Sequence, residues 1–221
     1  MKDYEIYSNI VVPKNSNIIL RLDGRSFHSL SKFLNLDKPY DCDFLKLMAK
    51  ICVDLFNEFS PLFIYTFSDE INVLLNKIPF NGRIEKINSV IASFTASSFT
   101  YHLNNELHKP IAFDSRIIPV TDKYIYSYFK WRQDEAWRNC VNAYGINFLK
   151  SKYSSKEAND KIRGLKLSDI HELLFQNGIN LNNIETYKKR GIAIYRQDSK
   201  INIDLDIPIF SKEFFDNLIG D

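Results

Sequence analysis

Two acidic turns stand where apolar, strand-like runs end. Asn17-Ile18-Ile19-Leu20-Arg21-Leu22 closes on Asp23, and Leu62-Phe63-Ile64-Tyr65-Thr66-Phe67 runs into Ser68-Asp69-Glu70. Carboxylates at neighbouring strand ends form a hard oxygen site suited to Mg²⁺, which keeps most of its coordination for water and phosphate oxygens. Two such ions are the usual device for displacement at phosphorus. The chemistry these residues suit is nucleotidyl transfer, with Asp23 and Asp69 expected to hold two Mg²⁺ ions. In the first run, Ile18, Leu20 and Leu22 alternate with Ile19, Arg21 and Asp23, so one face can pack on helices while Arg21 and Asp23 share the other. Gly24-Arg25-Ser26 follows at once, and a turn of that kind can aim backbone N–H groups at phosphate oxygens.

The elements that must hold these turns are legible in the apolar spacing. Residues 43–59 read as a helix with Leu45, Met48, Ile51, Cys52 and Leu55 on one side. Residues 62–67 and 71–75 read as a hairpin around Ser68-Asp69-Glu70. A long helix is expected over 84–107, with Ile87, Val90, Ile91, Phe94 and Ser98 as its inward stripe, and a fourth strand over 113–120. The order strand, helix, strand, strand, helix, strand predicts an α+β chain with a ferredoxin-type βαββαβ core. The polymerase palm is built this way, with acids on adjacent central strands. Residues 1–120 are thus expected to form a palm-like catalytic core. Residues 121–221 are expected to form a mostly helical arm with a returning β-ribbon, integrated with the core. Helices are predicted at 122–131, 135–149, 155–162, 168–176 and 182–187, with Ser168 as an N-cap, and strands at 191–195 and 201–207.

Composition narrows the classes. At 221 residues, 45% hydrophobic and 14% aromatic, the chain can bury a substantial core. It has no apolar run long enough for a membrane span, and Met1-Lys2-Asp3-Tyr4-Glu5 lacks the layout of a signal peptide. Cys42, Cys52 and Cys140 have no metal-binding spacing and read as reduced thiols of a cytoplasmic protein. A net charge of +2 does not by itself indicate nucleic acid, so any attraction for RNA must be local. Lys150, Lys152, Lys156, Lys161, Arg163 and Lys166 crowd one segment, and Lys188-Lys189-Arg190 follows, with Tyr153 and Tyr187 nearby. That mixture suits a phosphate backbone with stacked bases, or else a solvated lysine-rich surface. His102, His108 and His171 lack metal-like spacing and read as ordinary surface or core residues, which argues against a metal-dependent phosphohydrolase. A nucleotide cyclase would use the same acid pair without an RNA-binding arm, and a non-catalytic RNA-binding subunit would not need the acids.

Six motifs occur in one order: Arg21-Leu22-Asp23-Gly24-Arg25-Ser26-Phe27-His28, Lys38-Pro39, Ser68-Asp69-Glu70, Ala96-Ser97-Ser98-Phe99, Phe113-Asp114-Ser115-Arg116 and Trp131-Arg132-Gln133. Together they resemble the tRNA-His guanylyltransferase family, which adds nucleotides in the 3′-to-5′ direction. The resemblance implies a metal site of Asp23, the Gly24 carbonyl and Asp69, with Glu70 tuning it as a third catalytic acid. It implies that Asp23, Gly24, Arg25, Ser26, Phe27 and His28 wrap a nucleoside triphosphate, reached also by Ser68 and Asp69. Lys38 then serves activation of the RNA 5′ end, and Arg83 and Lys86, on one face of the long helix, hold a second triphosphate. ATP and GTP are the implied substrates, tRNA the implied partner, and a homotetramer the implied assembly. Trp131-Arg132-Gln133 admits a structural reading, with Arg132 paired to an internal acid and Trp131 in a structural or oligomer contact. Asp114 and Arg116 read as a structural ion pair.

The resemblance has departures. Trp137 stands where the eukaryotic branch has histidine, and Ile170 where a lysine is expected. Both resemble the guanylyltransferase-like branch of archaea and bacteria. This implies template-dependent repair of 5′-truncated tRNA as the main reading, with addition of a single G to tRNA-His as the alternative. The implied reaction adenylylates the 5′ phosphate with ATP, after which the 3′-hydroxyl of an incoming nucleotide attacks it and expels AMP.

Overall fold

A six-stranded antiparallel sheet carries both acidic turns. In the computed structural model, which describes residues 1–103, 107 and 109–220, the strands are β1 (Asn17–Gly24), β2 (Phe63–Phe67), β3 (Glu70–Leu74), β4 (Phe113–Val120), β5 (Ile192–Gln197) and β6 (Lys200–Asp204). Their order is β4-β1-β3-β2-β5-β6. The expected strand, helix, strand, strand, helix, strand succession is present, with α2 (Cys42–Phe59) and α3 (Ile84–His102) as its two long helices. A short α1 (Phe27–Phe33) precedes them. The expected ribbon is β5–β6, and it extends the same sheet by pairing β5 with β2.

The period-two pattern of β1 decides what each face meets. Ile18, Leu20 and Leu22 join Ile64, Ile71 and Val73 in a core shared with Met48, Ile51 and Leu55 of α2 and Ile87, Ile91 and Phe99 of α3. Each fully buried side chain of this size contributes about 1.5–3 kcal/mol. On the opposite face, Ile19, Phe63, Tyr65 and Leu74 pack against Ile125, Phe129 and Ala136 of α4 (Asp122–Lys152) and Phe215 of α8 (Lys212–Gly220). Asp41 starts α2 by accepting the Phe44 amide at 2.8 Å.

Several sequence expectations shift. The two helices predicted at 122–131 and 135–149 are one continuous α4, since nothing in Arg132-Gln133-Asp134 breaks a helix. Gly145 inside it has a packing reason: a Cβ there would lie 2.5 Å from Ile170 on α6 (Leu167–Gln176). That helix begins one residue before Ser168, with Asp169 accepting the Lys166 amide at 3.1 Å, so Ser168 is not the cap. α5 (Ser155–Ile162) falls where expected. The segment expected to be helical at 182–187 divides into a 3₁₀ turn, Leu181–Asn183, and α7 (Thr186–Arg190). β6 ends at Asp204 and does not reach 207, and α8 was not anticipated. α3 stops at His102, while positions 104–106 of its expected extension, and His108, lie outside the described residues. Among the described residues no helix is long and apolar enough to cross a membrane.

Candidate active site

β1 and the β2–β3 hairpin bring their acidic turns to the same end of the sheet. Asp23 pairs in register with Glu70 of β3 on one side and Asp114 of β4 on the other. Only Ser68 and Asp69 connect β2 to β3, and Ser68 takes a left-handed conformation (φ 52°) to make that reversal. After Gly24 the chain does not turn into a hairpin. Arg25 donates its amide to the Ala112 carbonyl at 2.9 Å, and Ser26, also left-handed (φ 62°), opens α1. Phe27 anchors this turn, with its ring edge-on to Phe44, Phe99 and Phe113.

Gly24 is required by that anchor. A Cβ at this position would stand 2.2 Å from the Phe27 ring, so any side chain must displace it. Gly24→Ala is expected to lower stability by about 1–3 kcal/mol, the usual penalty of overpacking, and to weaken triphosphate binding. Urea unfolding and nucleotide titration of the same preparation check both effects.

Asp23 and Asp69 repel one another. The Asp69 carboxyl is pushed up to about 6, chiefly by burial; its own backbone amide and the Ser68 hydroxyl oppose the rise, while the charges of Asp23 and Glu70 add to it. Ser68 donates to Asp69 Oδ1 at 3.0 Å. Among the described residues no cluster of three or more His, Cys, Asp or Glu side chains is placed to hold a metal. Two mutually repelling hard donors nevertheless suit a divalent cation that takes its other ligands from water and phosphate. A cation held there would compete with the proton on Asp69, so its affinity is expected to fall about tenfold per pH unit below pH 6. Calorimetry in buffers of different ionisation enthalpy should detect about three-quarters of a proton released at pH 5.5 and almost none at pH 7.5.

His28, Lys38, Ser68 and Asp69 line one cleft of about 200 Å³, together with Phe27 and Tyr40. Lys38 reaches Ser31 Oγ at 3.5 Å, and its peptide bond to Pro39 is cis. Arg83 and Lys86 do not line this cleft. Arg83 is bridged through its backbone to Val11, and the Lys86 ammonium lies 5.7 Å from the Phe80 ring. Tyr40 and Asp41, both in the cleft wall, were not anticipated as site residues, although an aromatic residue directly after Lys38-Pro39 was a usable signal.

Glu70, expected to tune the metal site as a third acid, is held in a buried ion pair. Its carboxylate takes two bonds from Arg132, at 2.7 and 2.6 Å, and a third from Asn72 at 2.8 Å. Tyr128 donates to Asn72 Oδ1 at 2.7 Å. Both carboxylate oxygens of Glu70 thus accept hydrogen bonds from other side chains. Here Arg132 does pair with an internal acid, as one reading of the motif held, and Arg116 stands 3.5 Å from Asp114. The expected basic run at 188–190 is also engaged internally: Lys188 pairs with Glu185, Lys189 donates to the Leu181 and Asn182 carbonyls, and Arg190 donates to Ile207. Lys150, Lys156 and Lys166 remain exposed.

Comparison with known proteins agrees with the motif order. A family model described as tRNAHis guanylyltransferase matches residues 1–121, and one for the C-terminal domain of that family matches 123–212. The chain is 33% identical over 205 residues to the tRNA(His) guanylyltransferase of Debaryomyces hansenii, covering 86% of this chain and 76% of that protein. It is 33% identical over 199 residues to a probable tRNA(His) guanylyltransferase of Dictyostelium discoideum, covering 85% and 78%. A bacterial tRNA(His) guanylyltransferase-like protein in complex with ATP superposes with a TM-score of 0.85 at 27% identity, covering 99% of this chain and 97% of that one. A bacterial protein of the same description in complex with GTP gives 0.78 at 27% identity, covering 99% and 96%.

Proposed function

Because the chain belongs to the tRNAHis guanylyltransferase family and is therefore a nucleotidyltransferase, we propose that it adds a guanosine nucleotide to the 5′ end of tRNA-His, with ATP and GTP as substrates. The observation that carries this reading is the convergence of Asp23 and Asp69 beside a cleft that also holds His28, Lys38 and Ser68. The names of the curated relatives favour the single-G reaction over templated repair, which reverses the order of preference drawn from Trp137 and Ile170.

Asp23, the Gly24 carbonyl and Asp69 would hold Mg²⁺, which when bound supplies Lewis acidity at phosphorus and acidifies an attacking hydroxyl. The protein's own part is to fix charge and geometry. With the Arg25 amide taken by the Ala112 carbonyl, the amides of Ser26, Phe27 and His28 at the start of α1 are the ones offered to triphosphate oxygens. Lys38 offers a fixed positive charge across the cleft, where negative charge builds on the transferring phosphate. Ser68 orients Asp69. In the first step the RNA 5′ phosphate attacks the α-phosphorus of ATP and releases pyrophosphate. In the second the 3′-hydroxyl of GTP attacks that 5′ phosphate and AMP departs.

The strand order β4-β1-β3-β2 with α2 and α3 on one face supports a palm-like, ferredoxin-type core. The break between the two family matches supports dividing the chain near residue 121, although β5 and β6 return to the core sheet. Templated repair of 5′-truncated tRNA is the second reading, favoured by Trp137 and by the near-complete overlap with the bacterial guanylyltransferase-like proteins. Both are tested by incubating the enzyme with tRNA-His and with 5′-truncated tRNAs, supplying each nucleotide separately. Addition of G to tRNA-His whatever base lies opposite supports the first. Extension that follows the opposing base supports the second, and no Mg²⁺-dependent incorporation overturns both.

A further inference from the structure

The Trp131-Arg132-Gln133 motif divides on inspection. Arg132 holds Glu70, and Gln133 ties α4 to the chain before α8, donating to the Pro208 carbonyl at 2.9 Å and accepting the Phe210 amide at 2.8 Å. Trp131 is left over, 51% exposed, although an indole is among the largest apolar surfaces a protein can bury. It sits edge-on to Tyr128, with the Arg132 guanidinium 4.5 Å and that of Arg21 5.8 Å from its ring centre. Arg21 occupies the same sheet face as Asp23, one side-chain row away, a spacing of about 7 Å. Arg116 stands beside it in register. Among the described residues Arg21 pairs with no acid, unlike Arg116 and Arg132.

We infer that Trp131 and Arg21 form a seat for the terminal nucleobase of the RNA at the reacting end, the indole stacking on the base and the guanidinium meeting its phosphate. A half-exposed indole beside a cation that has no acidic partner among the described residues complements a nucleotide, which carries a flat base and an anionic phosphate. A second protein copy would supply no anion unless it placed an acid there. The seat lies one row from Asp23, so a base stacked on it leaves its phosphate within reach of that carboxylate. This inference rests on the proposed reaction for the identity of the RNA end, while the stacking is independent of catalysis.

Trp131 and Trp137 are the two tryptophans of the chain, so a Trp137→Phe background isolates the indole signal. Titration with an acceptor-stem minihelix, without nucleotide or divalent cation, is expected to quench Trp131 emission saturably. Trp131→Ala should weaken RNA binding by about tenfold, within the roughly 5- to 150-fold that base–aromatic stacking represents. Its KM for GTP should stay within about twofold, since stacking acts on the RNA. Trp131→Phe should retain most of the affinity, and Arg21→Met should reduce the salt slope of binding by about one. Unchanged emission at saturating RNA overturns the seat, and so does wild-type RNA affinity in a folded Trp131→Ala protein. A change in sedimenting assembly with RNA affinity intact makes the indole a contact between copies and also overturns it. Quenching and affinity loss in a protein that adds no nucleotide would sustain the seat and refute the reaction instead.

Discussion

In the Asp69→Asn enzyme, nucleotide addition falls by roughly three to four orders of magnitude, while the unfolding midpoint holds or rises. The loss follows from the proposed role of Asp69 as one of two charged ligands for cations, which would carry several kcal/mol of transition-state stabilisation, each 1.36 kcal/mol being about a factor of ten. The stability follows from the same geometry with the opposite sign. Asp69 has its carboxyl raised to about 6 by burial and by its acidic neighbours, so ionising it works against the cation-free fold. For a group whose folded pKa exceeds its unfolded one, the stabilising contribution is present at low pH and lost as pH rises through the folded value. The cation-free wild type should therefore gain stability between pH 7 and pH 5, and Asp69→Asn should lack that gain. Thermal unfolding with a chelator present, alongside single-turnover addition, measures both. A variant that loses stability in step with activity would mark Asp69 as a structural residue and remove the basis of the metal site.

How much of this was legible depended on the kind of interaction. Local period-two and helical patterns gave β1, α2, the β2–β3 hairpin, β4 and α5 close to their bounds, since burial of one face leaves little freedom of register. The α1 turn was missed because Phe27-His28-Ser29-Leu30 is too short for helical periodicity, and what holds it is the distant contact of Phe27 with Phe99 and Phe113. α4 was split because its composition dips in apolarity between Trp131 and Ala136, although Arg132 and Gln133 are buried there by partners on other elements. The same blindness affected the basic run at 188–190. In sequence it resembles an RNA-binding patch, whereas in space three carbonyls and one carboxylate nearby satisfy it. Charge could be counted from the chain, but its availability could not. Asn72 offered one unused signal, because an amide inside Ile71-Asn72-Val73 must find partners once the strand is central.

The pairing of Glu70 with Arg132 leads to the second large effect. Arg132→Met is expected to lower stability by about 3–5 kcal/mol, because it leaves Glu70 buried without its counter-charge. Side-chain exposures of 8% for Arg132 and 11% for Glu70 leave little water to compensate. Glu70→Gln keeps an acceptor for Asn72 and removes the charge, so the double variant Glu70→Gln/Arg132→Met should recover at least half of the loss. That non-additivity is what a shared ion pair predicts, and a double-mutant cycle by urea unfolding reads it directly. The same double variant separates two roles for Glu70. If the glutamate only holds the strand end that bears Asp69, cation affinity drops by about 10- to 100-fold, the range for groups that orient a ligand. If its oxygens belonged to the metal site, cation binding would vanish as completely as in Asp69→Asn, and Arg132 would have to release Glu70 during the reaction. Three short hydrogen bonds to that one carboxylate, from Arg132 twice and from Asn72, argue for the first outcome.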